Sequence, residues 1–200
     1  MSDAPPTQYL PMTGSEVAMI RWLYAFSNWT RPQVIDAISQ LSEEQLRQPG
    51  AIVGGMGDGS ILKSLIHLVG AEEHWLSRWM RAEEEPEPDN IGSLESTAKR
   101  WEKVDQTRDA WLATLTGADL AAPFRSYTGA DGNTATVPLW PALFHVLIHT
   151  SHHRGEIYEA LTRLGSPPQI EPDLLDFGTL QAGVVLPFTS EVIVRVGSRE

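Results

Sequence analysis

Leu143-Phe-His145-Val-Leu-Ile-His149-Thr-Ser-His152-His153-Arg-Gly-Glu156 carries His149 and His153 four residues apart. On a helix that spacing puts both imidazoles on one face, one turn above the other. Two helical histidines so placed can bite a single ion. The helix itself is expected from about 138 to 164. Pro138-Leu-Trp-Pro141 opens it where proline is tolerated, and Gly165 with Pro167-Pro168 prevents its continuation. Val146 and Ile157 carry apolar character one turn before and after the pair.

Working outward, apolar periodicity predicts three further long helices. The first runs from about 15 to 40 through Ile20, Leu23, Tyr24, Val34, Ile35 and Ile38. Pro32 is expected to kink or interrupt it, because proline lacks the interior N–H donor. Ser42-Glu-Glu-Gln45 reads as a capped short turn. The second long helix, about 60–82, carries Leu65, His67 and Leu68, with Asp58 or Ser60 as its cap. It leads into the acidic, Pro-containing linker Glu83-Glu-Glu-Pro-Glu-Pro-Asp89. The third runs from about 93 to 116 and stops at Gly117. Phe124–Tyr127 and Thr134–Val137 flank turn residues and suggest a small hairpin. Asp173–Phe177 is expected to make one more short helix, and the β-branched tail 184–196 to pair as a strand or pack on a partner.

The fold expected is all-α: an antiparallel four-helix bundle with a small hairpin or loop before the fourth helix and a C-terminal extension. The expected layout is a flexible lead-in 1–14, the bundle 15–180 and the extension 181–200. The 200 residues suit one domain, and the seven tryptophans at helical spacing are assigned to its core. There are no cysteines, which excludes disulfides, thiolate metal sites and a cysteine nucleophile. Net charge is −11, and the basic residues are scattered. Nucleic acid and acidic membranes are therefore disfavoured as partners. No apolar run reaches the roughly 18 residues that span a bilayer. Met1–Gln8 lacks the features of a secretory signal, so a cytoplasmic location is expected. The Gly-rich loop 48–59 lacks the Gly-Lys-Ser/Thr ending of a phosphate cradle and reads as a flexible connector.

A lone histidine on an apolar helix face is usually a satisfied core or boundary residue. His74 and His152 fit that account, and His145 shares the face of His149 as either ligand or packing residue. His67 stands among Leu65, Ile66, Leu68 and Val69 and is expected to point into or border the core. Buried imidazoles without partners cost about 1–3 kcal/mol each. One ion shared by His67, His149 and His153 would satisfy all three. Three protein ligands leave a fourth position for water or substrate, the pattern of catalytic rather than structural zinc. Glu156, three residues after His153, or Glu72, on the His67 helix, would then serve as general base or hydrogen-bond support.

The segments Leu65-Ile-His67-Leu-Val-Gly-Ala-Glu72-Glu-His-Trp75, Leu139–Val146 and His149–Ile157 resemble the DinB/YfiT-like superfamily, with support from Leu164-Gly165 and Asp173–Phe177. The resemblance covers about 15–180. It implies a four-helix bundle, usually dimeric, holding a divalent metal on three histidines; by position these are His67, His149 and His153. Zinc or nickel is the expected ion, and a homodimer the expected assembly. The family motif usually ends in Gln where this chain has Glu156, which alters the charge near the ion. Relatives include transferases and isomerases that use small thiol cofactors, metal-dependent hydrolases, and members with no known reaction. The expected function is thus a metal-dependent transferase or hydrolase acting on a small molecule, with Glu156 moving protons and a small thiol as a further cofactor. The alternatives are a non-catalytic metal-binding or stress-response protein, and an interaction module without metal.

Overall fold

The computed structural model describes residues 14–82, 92–128, 134–168 and 173–182. These fold mostly as helix: α1 (Gly14–Ile38), α2 (Glu43–Leu46), α3 (Ile61–Met80), α4 (Leu94–Leu112), α5 (Gly117–Ala121), α6 (Leu139–Arg163) and α7 (Leu174–Gln181). Strands β1 (Pro123–Thr128) and β2 (Thr134–Pro138) lie between α5 and α6. They pair antiparallel, Phe124 opposite Val137, as the expected hairpin. The lead-in and the tail 184–196 lie outside the described residues.

Local chemistry accounts for most boundaries. The Ser42 and Gln45 side chains bond each other's backbone N–H in a capping box that starts α2. Ser60 caps α3 by accepting from the Lys63 N–H, while Asp58 accepts from the Ser60 N–H. Ser93 caps α4 and Asp173 caps α7. Gly165, at φ 77°, ends α6 in the left-handed region that glycine enters without steric cost.

Three expectations about elements are altered. α1 continues through Pro32 as one helix, so the proline does not interrupt it. The ring is solvent-exposed, and nearby carbonyls find side-chain donors: Gln33 Nε2 donates to Trp29 O at 2.9 Å and Thr30 Oγ1 to Ser27 O at 2.8 Å. α4 ends at Leu112, short of the expected stop at Gly117, which instead begins α5 because Thr116 and Asp119 form a second capping box. The Gly-rich loop, expected to be a flexible connector, closes on itself. The Gly50 N–H donates to Asp58 O and the Ile52 N–H to Gly59 O, and Ala51 and Ile52 are buried.

The four long helices pack in the cyclic order α1–α6–α3–α4. Their directions depart from the expected antiparallel arrangement. Along α1, Arg21, Asn28 and Arg31 bond Leu112, Asp109 and Asp105 of α4 in descending order, so these two helices are antiparallel. Trp79 near the end of α3 stacks on Trp111 near the end of α4, centroids 5.7 Å apart, so α3 and α4 run parallel. Tyr24 reaches Leu143 and Arg154 reaches Thr30, so α1 and α6 are parallel too. Residues 81–93 joining α3 to α4 can span about 43 Å at full extension, against a length of about 30 Å for α3. A return along the helix is therefore within reach.

The core divides along these axes. Val34, Ile38, Ile61, Leu65, Leu68, Trp101, Ile157 and Leu161 fill one end. Val17, Ile20, Tyr24, Trp75, Trp79, Val104, Leu143 and Val146 fill the other. No described helix is long and apolar enough to cross a membrane.

Candidate metal centre

α3 and α6 cross antiparallel, and the histidines meet at their contact. Leu65, Leu68 and Val69 are fully buried and anchor α3, leaving His67 half-buried at the edge of the core. On α6, Val146, Thr150 and Ile157 are buried, which turns His149 and His153 toward α3. The ring centroids of His67 and His149 are 5.2 Å apart, those of His67 and His153 4.9 Å, and those of His149 and His153 4.4 Å. One ligand nitrogen from each of the three lies within 4.8 Å of the others.

The donor set fits a small divalent cation. His149 Nε2 and His153 Nε2 are 3.1 Å apart. Two nitrogens each about 2.0–2.1 Å from a tetrahedral zinc would be about 3.4 Å apart, so little movement is needed. His153 is further prepared by Glu156, whose Oε2 lies 2.7 Å from Nδ1. A carboxylate there accepts the Nδ1–H proton, which leaves the Nε2 lone pair facing the cluster. This is the carboxylate–histidine arrangement that orients metal-ligating imidazoles. Burial, followed by the neighbouring histidines, lowers the pKa of His149 to about 4. His67 is lowered for the same reasons, with Glu156 opposing. Both are neutral at neutral pH, and a neutral ring is the ligating form.

The remaining histidines lie outside the three-histidine group. His145 is exposed, with its ring against Trp75 at 5.1 Å and 6.1 Å from that of His149. It does not join the three-histidine group. His74 is exposed beside Trp75. His152 is also exposed, yet it has a partner that its position alone did not reveal: its Nε2 lies 3.2 Å from Glu156 Oε1. Glu156 thus spans an exposed and a buried histidine. It borders an open cavity of about 620 Å³ with Ile52, Val53, His152, Glu159 and Arg163.

Glu72, read above as an acid near the ion, lies elsewhere. Five residues rotate a helix by about 500°, so Glu72 points roughly 140° away from His67. Its side chain is 2% exposed. Oε1 accepts from Thr150 Oγ1 at 2.7 Å, and Oε2 from Arg108 at 2.7 Å and Trp101 Nε1 at 3.3 Å. Arg108, 1% exposed, also pairs with Asp105 at 2.8 Å, donates to Asn28 Oδ1, and lies over the Tyr24 ring at 4.6 Å. Neither Thr150 nor Arg108 was singled out from the sequence. The available signal was a long basic residue on the apolar face of α4.

Comparison with known proteins bears on the same residues. A family model described as the DinB family matches residues 15–177. No match is found among curated proteins. Among solved structures, the chain is similar to a DinB-like protein from Bacillus cereus ATCC 10987, with 18% sequence identity and a TM-score of 0.55 over 82% of this chain and 100% of that one. At that identity the likeness is one of fold.

Proposed function

The chain belongs to the DinB family, and from that premise we propose that it is a metal-binding enzyme, a transferase or hydrolase acting on a small molecule. In this reading the four long helices form the family's four-helix bundle. His67, His149 and His153 hold one divalent ion, zinc or nickel. The observation that carries the reading is the convergence of three imidazoles from two helices, with one of them already oriented by Glu156. When bound, such an ion supplies Lewis acidity to a water, thiol or carbonyl group placed beside it. His67 and His149 are half-buried, which leaves the cluster an approach from solvent. Glu156 holds the Nδ1 proton of His153 on the side away from the cluster. Its role is therefore to orient and polarise the ring, rather than to take a proton from substrate directly. A small thiol is the co-substrate class suggested by the family resemblance.

The test is elemental analysis of protein purified without a polyhistidine tag, chelated and then reloaded with zinc or nickel. One ion per chain is expected, lost in His67→Ala, His149→Ala and His153→Ala. Full stoichiometry in all three variants would overturn the assignment.

A further inference from the structure

A buried ion pair is an expensive way to fill a protein interior, since well-packed apolar residues of similar volume are often as stable or more so. This protein nevertheless keeps Glu72 and Arg108 at 2% and 1% exposure. Such groups are best attested in setting register between helices. The contacts here span all four long helices. Glu72 is on α3, Arg108 and Trp101 on α4, Thr150 on α6, and Asn28 and Tyr24 on α1. Tyr24 in turn donates its hydroxyl to Leu143 O of α6 at 2.9 Å.

The position of the α3–α6 link is the informative part. Thr150 follows His149 directly, and its Oγ1 lies 2.7 Å from Glu72 Oε1. On α3, Glu72 is five residues from His67. An axial slip of one residue between these helices moves facing groups by about 1.5 Å. That displacement is large beside the 3.1 Å separation of the His149 and His153 nitrogens. The Glu72–Thr150 bond is both directional and buried, so it adds to the surrounding apolar packing a restraint along the helix axis. The geometry points to Thr150 as a positioning residue: its bond to the Arg108-anchored Glu72 sets the register in which α3 presents His67 to His149 and His153. This rests on the metal-binding reading above, and concerns a residue outside the three-histidine group.

The test compares the zinc affinity of full-length wild-type protein, Thr150→Val, Thr150→Ser and Leu46→Ala by competition with a chromophoric chelator. Cobalt(II) absorption spectra report the ligand geometry in each. Leu46→Ala removes a buried apolar side chain from α2 and breaks no hydrogen bond of the network, so it controls for general loosening. Thr150→Val is expected to weaken zinc binding about 10-fold or more, the lower end of the range for residues that support metal ligands indirectly. It should also alter the cobalt spectrum. Thr150→Ser, which keeps the hydroxyl, should stay within about threefold of wild type. Leu46→Ala should lower the Tm with little change in affinity. Wild-type affinity in Thr150→Val, equal weakening in Leu46→Ala, or no recovery in Thr150→Ser overturns this inference alone. Absence of zinc binding by the wild type overturns the metal-binding reading, and the inference with it.

Discussion

Glu156 Oε2 lies 2.7 Å from His153 Nδ1, and its charge is what a glutamine in its place would lack. The Gln side-chain oxygen can still accept a hydrogen bond from Nδ1–H, but it polarises the imidazole less. Glu156→Gln is therefore expected to weaken metal binding about 10-fold, and Glu156→Ala by up to about 100-fold. Chelator competition measures both, and wild-type affinity in the alanine variant would remove Glu156 from the site. A second prediction concerns protons. In metal-free protein His67 and His149 titrate below the ordinary value of 6.5. The unfolded chain then binds more protons, so their contribution is present above pH 6.5 and is lost as pH falls through 6.5 toward about 4. The Tm of chelated wild type should accordingly drop more between pH 7.5 and 5.5 than that of His149→Gln. Equal drops would show that His149 is not held neutral. Asp105, pushed up to about 6 chiefly by burial, acts with the opposite sign and cancels in the comparison. At this scale the four-residue spacing of His149 and His153 was legible, because helical geometry alone places the two together. Glu72 was misread because sequence proximity to His67 said nothing about which helix its face would meet.

α1 shows what a helix tolerates when tertiary packing favours it. Its proline removes one donor, yet the buried positions Val17, Ile20, Tyr24, Val34 and Ile38 continue on either side. Pro32 is exposed, so replacing it loses no packing and restores an N–H. Pro32→Ala is expected to stabilise the protein by on the order of 1–2 kcal/mol: the helix penalty of proline, less its restriction of the unfolded chain. Urea denaturation measures this, and a loss of stability would mean that the proline is accommodated by strain elsewhere. α5 was legible in principle, since Thr116 and Asp119 stand at capping-box spacing. The Gly-rich loop was harder, because its closure depends on hydrogen bonds between residues 50–52 and 58–59 that no residue type announces.

Across the whole molecule, the Glu72–Arg108 network links the four long helices through their shared interior. Arg108→Met alone leaves a buried carboxylate without its main partner and should cost about 3–5 kcal/mol. Glu72→Leu combined with Arg108→Met should recover most of that stability while metal affinity stays low, because the apolar pair restores packing but not register. Urea denaturation and zinc titration of both variants check this; a single variant as stable as wild type would count against the network. The caps of α2 and α3, the hairpin and the histidine spacing were determined by the sequence itself, because each depends on groups within a few residues of one another. The directions of the helices were not: 81–93 reads equally well as a linker between antiparallel or parallel neighbours. Only the tertiary structure set α3 alongside α4 in the same direction, turned Glu72 inward to Arg108, and brought His67 against His149 and His153. Those outcomes rest on contacts between residues far apart in the chain, such as Thr150 with Glu72 at a separation of 78. They follow from which apolar faces pack together, and no local pattern encodes that choice.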